Sequence, residues 1–139
     1  MSAFDNTISK SSPMAKQLFY RLVIDASGEG AAGAVSLNKA LAEELLKLRP
    51  RQRTMQMEKC LLEVLHRLPK NSVVKDVDVL FNPAYKVDVL KVLISVYKQC
   101  PFRLIWSGTF KDGKLIYSEE SYPDYQTYDV GEYDIICIQ

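Results

Sequence analysis

Apolar positions along this chain follow two rhythms. Dense short runs lie at residues 18–24, 72–81, 102–106 and 133–138, each bounded by polar or Gly/Pro-bearing segments. Runs of this length, rich in Val, Ile and Phe, read as buried strands. Between them the spacing changes. Leu37, Leu41, Leu45 and Leu48 recur every three or four residues, with Ala40 on the same side. Met57, Leu61, Val64, Leu65 and Leu68 do the same, and so do Val87, Leu90, Ile94 and Tyr97. That is the period of a helix with one apolar face, and the leucine stripes read as core faces. The first helix is expected to stop before Pro50. The second takes Thr54 as its N-cap and ends at Pro69-Lys70-Asn71. The third starts at Asn82-Pro83, a cap followed by proline in the first turn, and ends near Cys100-Pro101. Lys111-Asp112-Gly113-Lys114 reads as a turn, with residues 115–117 a short edge strand.

The order is strand, glycine-rich loop, two helices, strand, helix, strand, irregular segment, strand. Such alternation predicts an α/β fold, a three-layer sandwich built on a mainly parallel sheet. Residues 17–139 form one domain of ordinary size behind a flexible polar start at 1–16. In such sheets ligands bind beyond the carboxyl ends of the strands. Residues 25–33, the Phe81-Asn82 corner and Ser107-Gly108-Thr109 are therefore expected to share one rim, where a site should lie.

The first of those segments is the densest candidate for chemistry. Gly28 and Gly33 have the spacing of the phosphate-binding loop G-x-x-x-x-G-K-[ST], but Ala34 and Val35 stand where its lysine and hydroxyl belong. The lysine would place an ammonium on the β/γ-phosphates and the hydroxyl would bind magnesium. Each such charged hydrogen bond is worth about 1.5–3 kcal/mol, and two methyl-bearing side chains supply none of it. Backbone N–H groups and a following helix could still attract an anion. Gly28, Gly30 and Gly33 also match G-x-G-x-x-G. The acid that a dinucleotide site wants about 20 residues on falls instead on Arg49-Pro50-Arg51-Gln52-Arg53. Three readings stay open for the loop: a plain turn, a remnant phosphate loop, or a dinucleotide site.

Composition removes several classes. A hydrophobic content of 47% is ample for one core, and a net charge of +1 gives no bulk attraction to nucleic acid or membrane. No apolar stretch is long enough to span a bilayer, and the start of the chain carries no secretory apolar region. Cys60, Cys100 and Cys137 are dispersed, and His66 is the single histidine. They assemble neither a zinc-ligand pattern nor an obvious nucleophile–base pair, and unpaired cysteines fit a cytoplasmic setting. His66 is expected on a helix surface. The charge is nevertheless uneven. Lys47, Arg49, Arg51, Arg53 and Lys59 crowd the join of the first two helices. Glu119, Glu120, Asp124, Asp129, Glu132 and Asp134 alternate with Tyr117, Tyr122, Tyr125, Tyr128 and Tyr133 near the end. Arg49, Arg51 and Arg53 could contact phosphates of a nucleic acid. The acidic tyrosine segment could be a contact surface, since tyrosine is favoured at interfaces.

The segments combine into a recognisable series. Tyr20-Arg21-Leu22-Val23 precedes the glycine loop, and Ser36-Leu37-Asn38-Lys39-Ala40-Leu41 opens the first helix. Asp76-Val77-Asp78-Val79-Leu80-Phe81-Asn82-Pro83, Ile105-Trp106-Ser107-Gly108 and Leu115-Ile116-Tyr117-Ser118-Glu119 follow, with Pro123-Asp124-Tyr125 last. In order and spacing, from about residue 20 to residue 138, this resembles the BrxF-type P-loop proteins of BREX bacterial anti-phage systems. The resemblance implies a reduced P-loop NTPase-like fold and a place in a multiprotein defence complex. Its partners would be other defence subunits, with nucleic acid reached through the complex. It implies a nucleotide site on Gly28, Gly30 and Gly33, and magnesium held near Asp76 and Asp78, with ATP or ADP as the ligand. The chain departs from the pattern at Ala34 and Val35, and at Lys75, which takes the aspartate position of the second motif. It also lacks the helix and strand expected between the glycine loop and Ser36. Three functions follow as expectations. One is a catalytically silent accessory subunit acting by protein contacts, with no cofactor required. The others are a nucleotide-binding protein or weak magnesium-dependent NTPase, and a nucleic-acid-binding module.

Overall fold

The computed structural model describes residues 7–8, 21–28 and 32–139. Its strands are β1 (Thr7–Ile8), β2 (Leu22–Asp25), β3 (Val35–Ser36), β4 (Val73–Lys75), β5 (Arg103–Ile105), β6 (Thr109–Lys111), β7 (Lys114–Tyr117), β8 (Gln126–Asp129) and β9 (Ile135–Ile138). Its helices are α1 (Asn38–Leu46), α2 (Pro50–Met55), α3 (Met57–His66) and α4 (Val89–Gln99). Six strands form one sheet in the order β1-β9-β2-β5-β4-β3, every neighbouring pair parallel. The other three form a separate antiparallel sheet, β6-β7-β8. The parallel α/β expectation thus holds. β1 falls within the start expected to be flexible; the rest of residues 1–16 lies outside the described residues.

Register explains the core. Ile24 is level with Cys137 on one side and Leu104 on the other, and Leu104 with Val74. Their side chains share one face of the sheet, with Leu22 and Ile135 one pleat away. α1, α3 and α4 lay Leu41, Leu45, Leu61, Leu90, Leu93 and Val96 into the same cluster, all at 1% exposure or less. Complete burial of each such side chain is worth about 1.5–3 kcal/mol, so the helical stripes seen in the sequence, together with the strand residues they cover, supply the core's stability. The opposite face carries a smaller cluster of Val23, Ile136 and Ile138. Among the described residues, the helices that reach the core cover a single face. The third layer of the expected sandwich is not among them. No helix among the described residues is long and apolar enough to cross a membrane.

Four local expectations fail, each for a stated reason. The run at 72–81 is not one strand. β4 ends at Lys75, Asp76 turns at φ +57, and Asp78–Phe81 forms a 3-10 turn. Val77, Leu80 and Phe81, all buried, stand at the i, i+3, i+4 spacing of a helical turn rather than at strand alternation. The third helix does not start at Asn82. Asn82 accepts the Ala84 N–H at 3.0 Å and so caps only the turn Pro83–Tyr85, and Lys86 at φ +52 breaks the path. The helix proper begins after Asp88, whose carboxylate accepts the Lys91 N–H at 3.2 Å. Thr54 caps no helix; it lies inside α2, which Pro50 opens, and its hydroxyl donates to the Tyr85 carbonyl at 3.1 Å. Finally, residues 115–117 belong to a central strand. β7 pairs with β6 through a two-residue turn whose Asp112 and Gly113 both have positive φ, and with β8 on its other side. β8 escaped notice because Tyr128 is its one buried residue.

The two sheets meet where the chain leaves β5. The Trp106 indole N–H is shared between the carbonyls of Thr109 (3.2 Å) and Ile116 (3.1 Å). Gly108 lies so close to β7 that a Cβ there would stand 1.9 Å from the Ile116 oxygen and 2.9 Å from the indole nitrogen. Gly108→Ala is therefore expected to force the sheets apart and to cost about 3 kcal/mol, roughly 10 °C in Tm. A thermal melt of the variant checks this; a Tm unchanged within a degree or two would refute the joint.

Candidate functional site

Strand order fixes where a ligand would bind. The connection from β2 runs out to β3 at the far edge, whereas the chain after β5 passes β2 and enters the sheet on its other side as β9. This reversal puts the topological switch point between β2 and β5, at their carboxyl ends. Asp25, Ser27 and Gly28 follow β2 there, and Trp106, Ser107 and Gly108 follow β5. The expected rim is real, but hydrogen bonds close it. The Trp106 N–H donates to the Asp25 carbonyl (2.9 Å) and the Ala26 N–H to the Ile138 carbonyl (2.7 Å), extending the ladders past the strands. The Asp25 carboxylate, 9% exposed, accepts both the Ser27 N–H (2.8 Å) and the Ser27 hydroxyl (2.5 Å).

The glycine segment does not end at a helix. β2 lies in the centre of the sheet and β3 at its edge, a lateral step of about 14 Å at ordinary strand spacing, and Ala34 leads directly into β3. Gly28 and Gly33 have φ +79 and +78 with nothing within 4 Å of a Cβ placed on either, so conformation alone asks for glycine. Gly30 lies outside the described residues. Ala34 precedes β3, and Val35 is its first residue, 37% exposed. A strand of two residues, β3, thus stands between the glycines and α1, where the sequence was expected to lack one, and residues 32–33 form a turn before it. At the two positions that follow Gly33 the chain offers Ala34 and Val35 in place of a lysine and a hydroxyl, and β3 in place of a helix N-terminus.

Asp78 is the hub of the rim instead. Its Oδ1 accepts the Tyr117 hydroxyl at 2.8 Å and the Ser107 hydroxyl at 3.3 Å, while its Oδ2 faces the Asn38 amide at 3.5 Å. The Asn38 Oδ1 accepts the Val79 N–H at 2.9 Å. Four segments meet there: the 3-10 turn after β4, the start of α1, the end of β5, and β7. The Tyr117 ring lies flat on Phe81, centroids 3.7 Å apart and 6° from parallel, with Trp106 edge-on at 6.4 Å. Tyr128 and Tyr133 extend this aromatic cluster, and the Tyr133 hydroxyl donates to the Asp88 cap at 2.7 Å. The Tyr128 hydroxyl is buried and makes no hydrogen bond of good geometry, although it lies near the Val89 amide. Asp76 turns the chain two residues before Asp78. No group of three His, Cys, Asp or Glu able to hold a metal occurs among the described residues.

The arginines separate. Arg53 turns inward, its Nε donating to the carbonyls of Leu45 (3.0 Å) and Leu48 (3.3 Å), which satisfies the open end of α1. Arg49 and Arg51 stay exposed. His66 is exposed at the end of α3, as expected. The three cysteines are free. Burial, and then the charge of Asp25, pushes the Cys137 thiol up to about 12, which keeps it protonated and inert. The sequence pointed to Asp78 and put Ser107 on the same rim, but it did not pair either with Asn38 or Tyr117. The only signal was a tyrosine at a position where β-strand alternation turns inward.

Comparison with protein-family models, with curated proteins and with solved structures finds no match for this chain.

Burial raises the pKa of Tyr117, Tyr128 and Tyr133 above the ordinary 10.0, and Asp78 or Asp88 adds to it in each case. These phenols hold their protons more tightly folded than unfolded. Their contribution is whole below pH 10 and is lost above it, where the unfolded chain ionises first. Cys137 adds the same sign from pH 9 to 12. Stability should therefore fall steeply in urea titrations taken from about pH 9 to 11. Tyr117→Phe should flatten that fall while costing about 1–2 kcal/mol at neutral pH; an unchanged alkaline slope would refute the Asp78 lock.

Proposed function

We propose that this protein is a non-catalytic, P-loop-like accessory subunit that works through protein contacts, in a bacterial phage-defence complex of the BREX type. The observation that carries the reading is the fate of the glycine segment. It keeps the position of a phosphate loop after a central strand, yet it delivers the chain to an edge strand with Ala34 and Val35 in place of the chemical groups. A second observation supports it. The carboxylate nearest to a magnesium position, Asp78, has both oxygens engaged by the chain's own Tyr117, Ser107 and Asn38. Polar groups tied to one another in this way hold a shape. The shape presents an acidic surface at residues 119–125, where Tyr122 is 56% exposed, and this is the surface assigned to partner contact. Membership of the defence complex rests on the ordered segments from Tyr20 to residue 138 described above.

A thermal melt with magnesium-ATP and magnesium-ADP separates this reading from nucleotide binding. A ligand at a hundred times its Kd adds about 2.7 kcal/mol, several degrees for a domain of this size. The expected result is no shift at millimolar nucleotide, together with recovery of other defence subunits in a pull-down from cells. A clear shift would make the glycine segment a working nucleotide site. A pull-down free of such subunits would overturn the role in the complex.

A further inference from the structure

The exposed large hydrophobics of the described residues are Val35, Leu46, Met55 and Tyr122. Three of them sit in two patches of opposite charge. Met55 is 82% exposed on α2, and Arg51, one turn earlier, shares its face of the helix. Leu46, at the end of α1, is 68% exposed, and the exposed Arg49 stands between the two helices. Tyr122 belongs to the other patch. With Pro83, Ser118, Pro123 and Asp124 it lines a shallow, wide-open hollow, and the exposed Glu119 and Glu120 adjoin it. The patches are neighbours. Thr54 of α2 bonds the Tyr85 carbonyl, and Pro83, in that same turn, walls the hollow.

We infer that a second copy of this chain covers both patches, in a two-fold pair that seats the Arg51–Met55 face of each copy in the Tyr122 hollow of the other. This rests on the reading of the acidic segment as a contact surface and names its occupant. Two-fold symmetry makes an interface self-complementary, each patch meeting its opposite twice. A surface with a basic half beside an acidic half satisfies that condition. A partner of one sign, such as a nucleic acid, would be repelled by one of the halves. The near-zero net charge of +1 leaves no long-range repulsion between copies. The side chains also match. A methionine sulfur packs well against an aromatic ring, and a guanidinium can lie over Tyr122 while pairing with the carboxylates beside it.

The test is the mass of the purified 139-residue chain by sedimentation equilibrium across salt concentrations. Twice the 15.8 kDa chain mass is expected at low salt. It should fall to the single mass at about 500 mM salt, where charges are screened beyond a few ångströms. Arg51→Glu and Glu120→Lys, both at exposed positions, should each give the single mass while keeping the circular-dichroism spectrum of the folded chain, with a melt that no longer depends on protein concentration. Mixing the two variants should restore the pair, because opposite charges then face each other at both contacts, reversed at one and native at the other. A single mass under all conditions, a pair indifferent to both substitutions, or a mass that keeps climbing with concentration would overturn the two-fold pair. A pull-down that recovers defence subunits with the Arg51→Glu variant, whose acidic surface is intact, would leave the proposed function standing even then.

Discussion

Two sheets of different kind can share one domain only where the chain passes between them without steric conflict. Here that passage is the contact of Gly108 with the Ile116 carbonyl, sealed by the Trp106 indole N–H. Everything beyond β5 depends on it. It lets the β6–β7 hairpin fold back over the rim of the parallel sheet, and so sets Tyr117 flat on Phe81 within reach of Asp78. The same aromatic cluster runs through Tyr128 to Tyr133 and ends on Asp88, the cap of α4. One close approach of backbone to backbone thus ties the small sheet to the last helix.

The consequence for function is a rim that is organised but internally occupied. At the switch point of a parallel sheet, polar side chains ordinarily face a ligand. Here Asp25 bonds Ser27, and Asp78 bonds three side chains from three other segments. A charged hydrogen bond inside a partly buried cluster is stronger than one made in water, and a carboxylate left unpaired there would be costly. The arrangement therefore fixes geometry. On the outer surface, exposed apolar side chains such as Met55 and Tyr122 stand beside charged ones such as Arg51 and Glu120.

Much of the fold was legible because burial leaves a period behind. Leu37, Leu41 and Leu45, and Met57, Leu61 and Val64, announced α1 and α3, and the apolar residues around Val23 and Ile136 announced the central strands. Where tertiary bonds compete with local preference, the period misled. Residues 72–81 look like a strand because Val and Leu serve both conformations. It is the Asn38 side chain, 41 positions away, that takes the Val79 N–H and holds a 3-10 turn. Asn82-Pro83 is a sound start signal, but Lys86 in a left-handed conformation limits it to one turn. Of the site, the rim and Asp78 were readable, whereas the partners of Asp78 were not, since Tyr117 and Ser107 lie 39 and 29 positions away from it.

The sequence by itself determined the class of fold, the parallel strands, the apolar helix faces and the absence of a lysine and hydroxyl after the glycines. Each of these is a property of residue type and short-range spacing. Only the tertiary structure decided that the glycine segment runs to an edge strand instead of a helix, and that Asp78 is consumed by the chain itself. It alone set the Tyr122 hollow beside the Arg51–Met55 face. Those outcomes depend on which distant segments compete for the same hydrogen bonds and the same volume, and no local pattern encodes that competition.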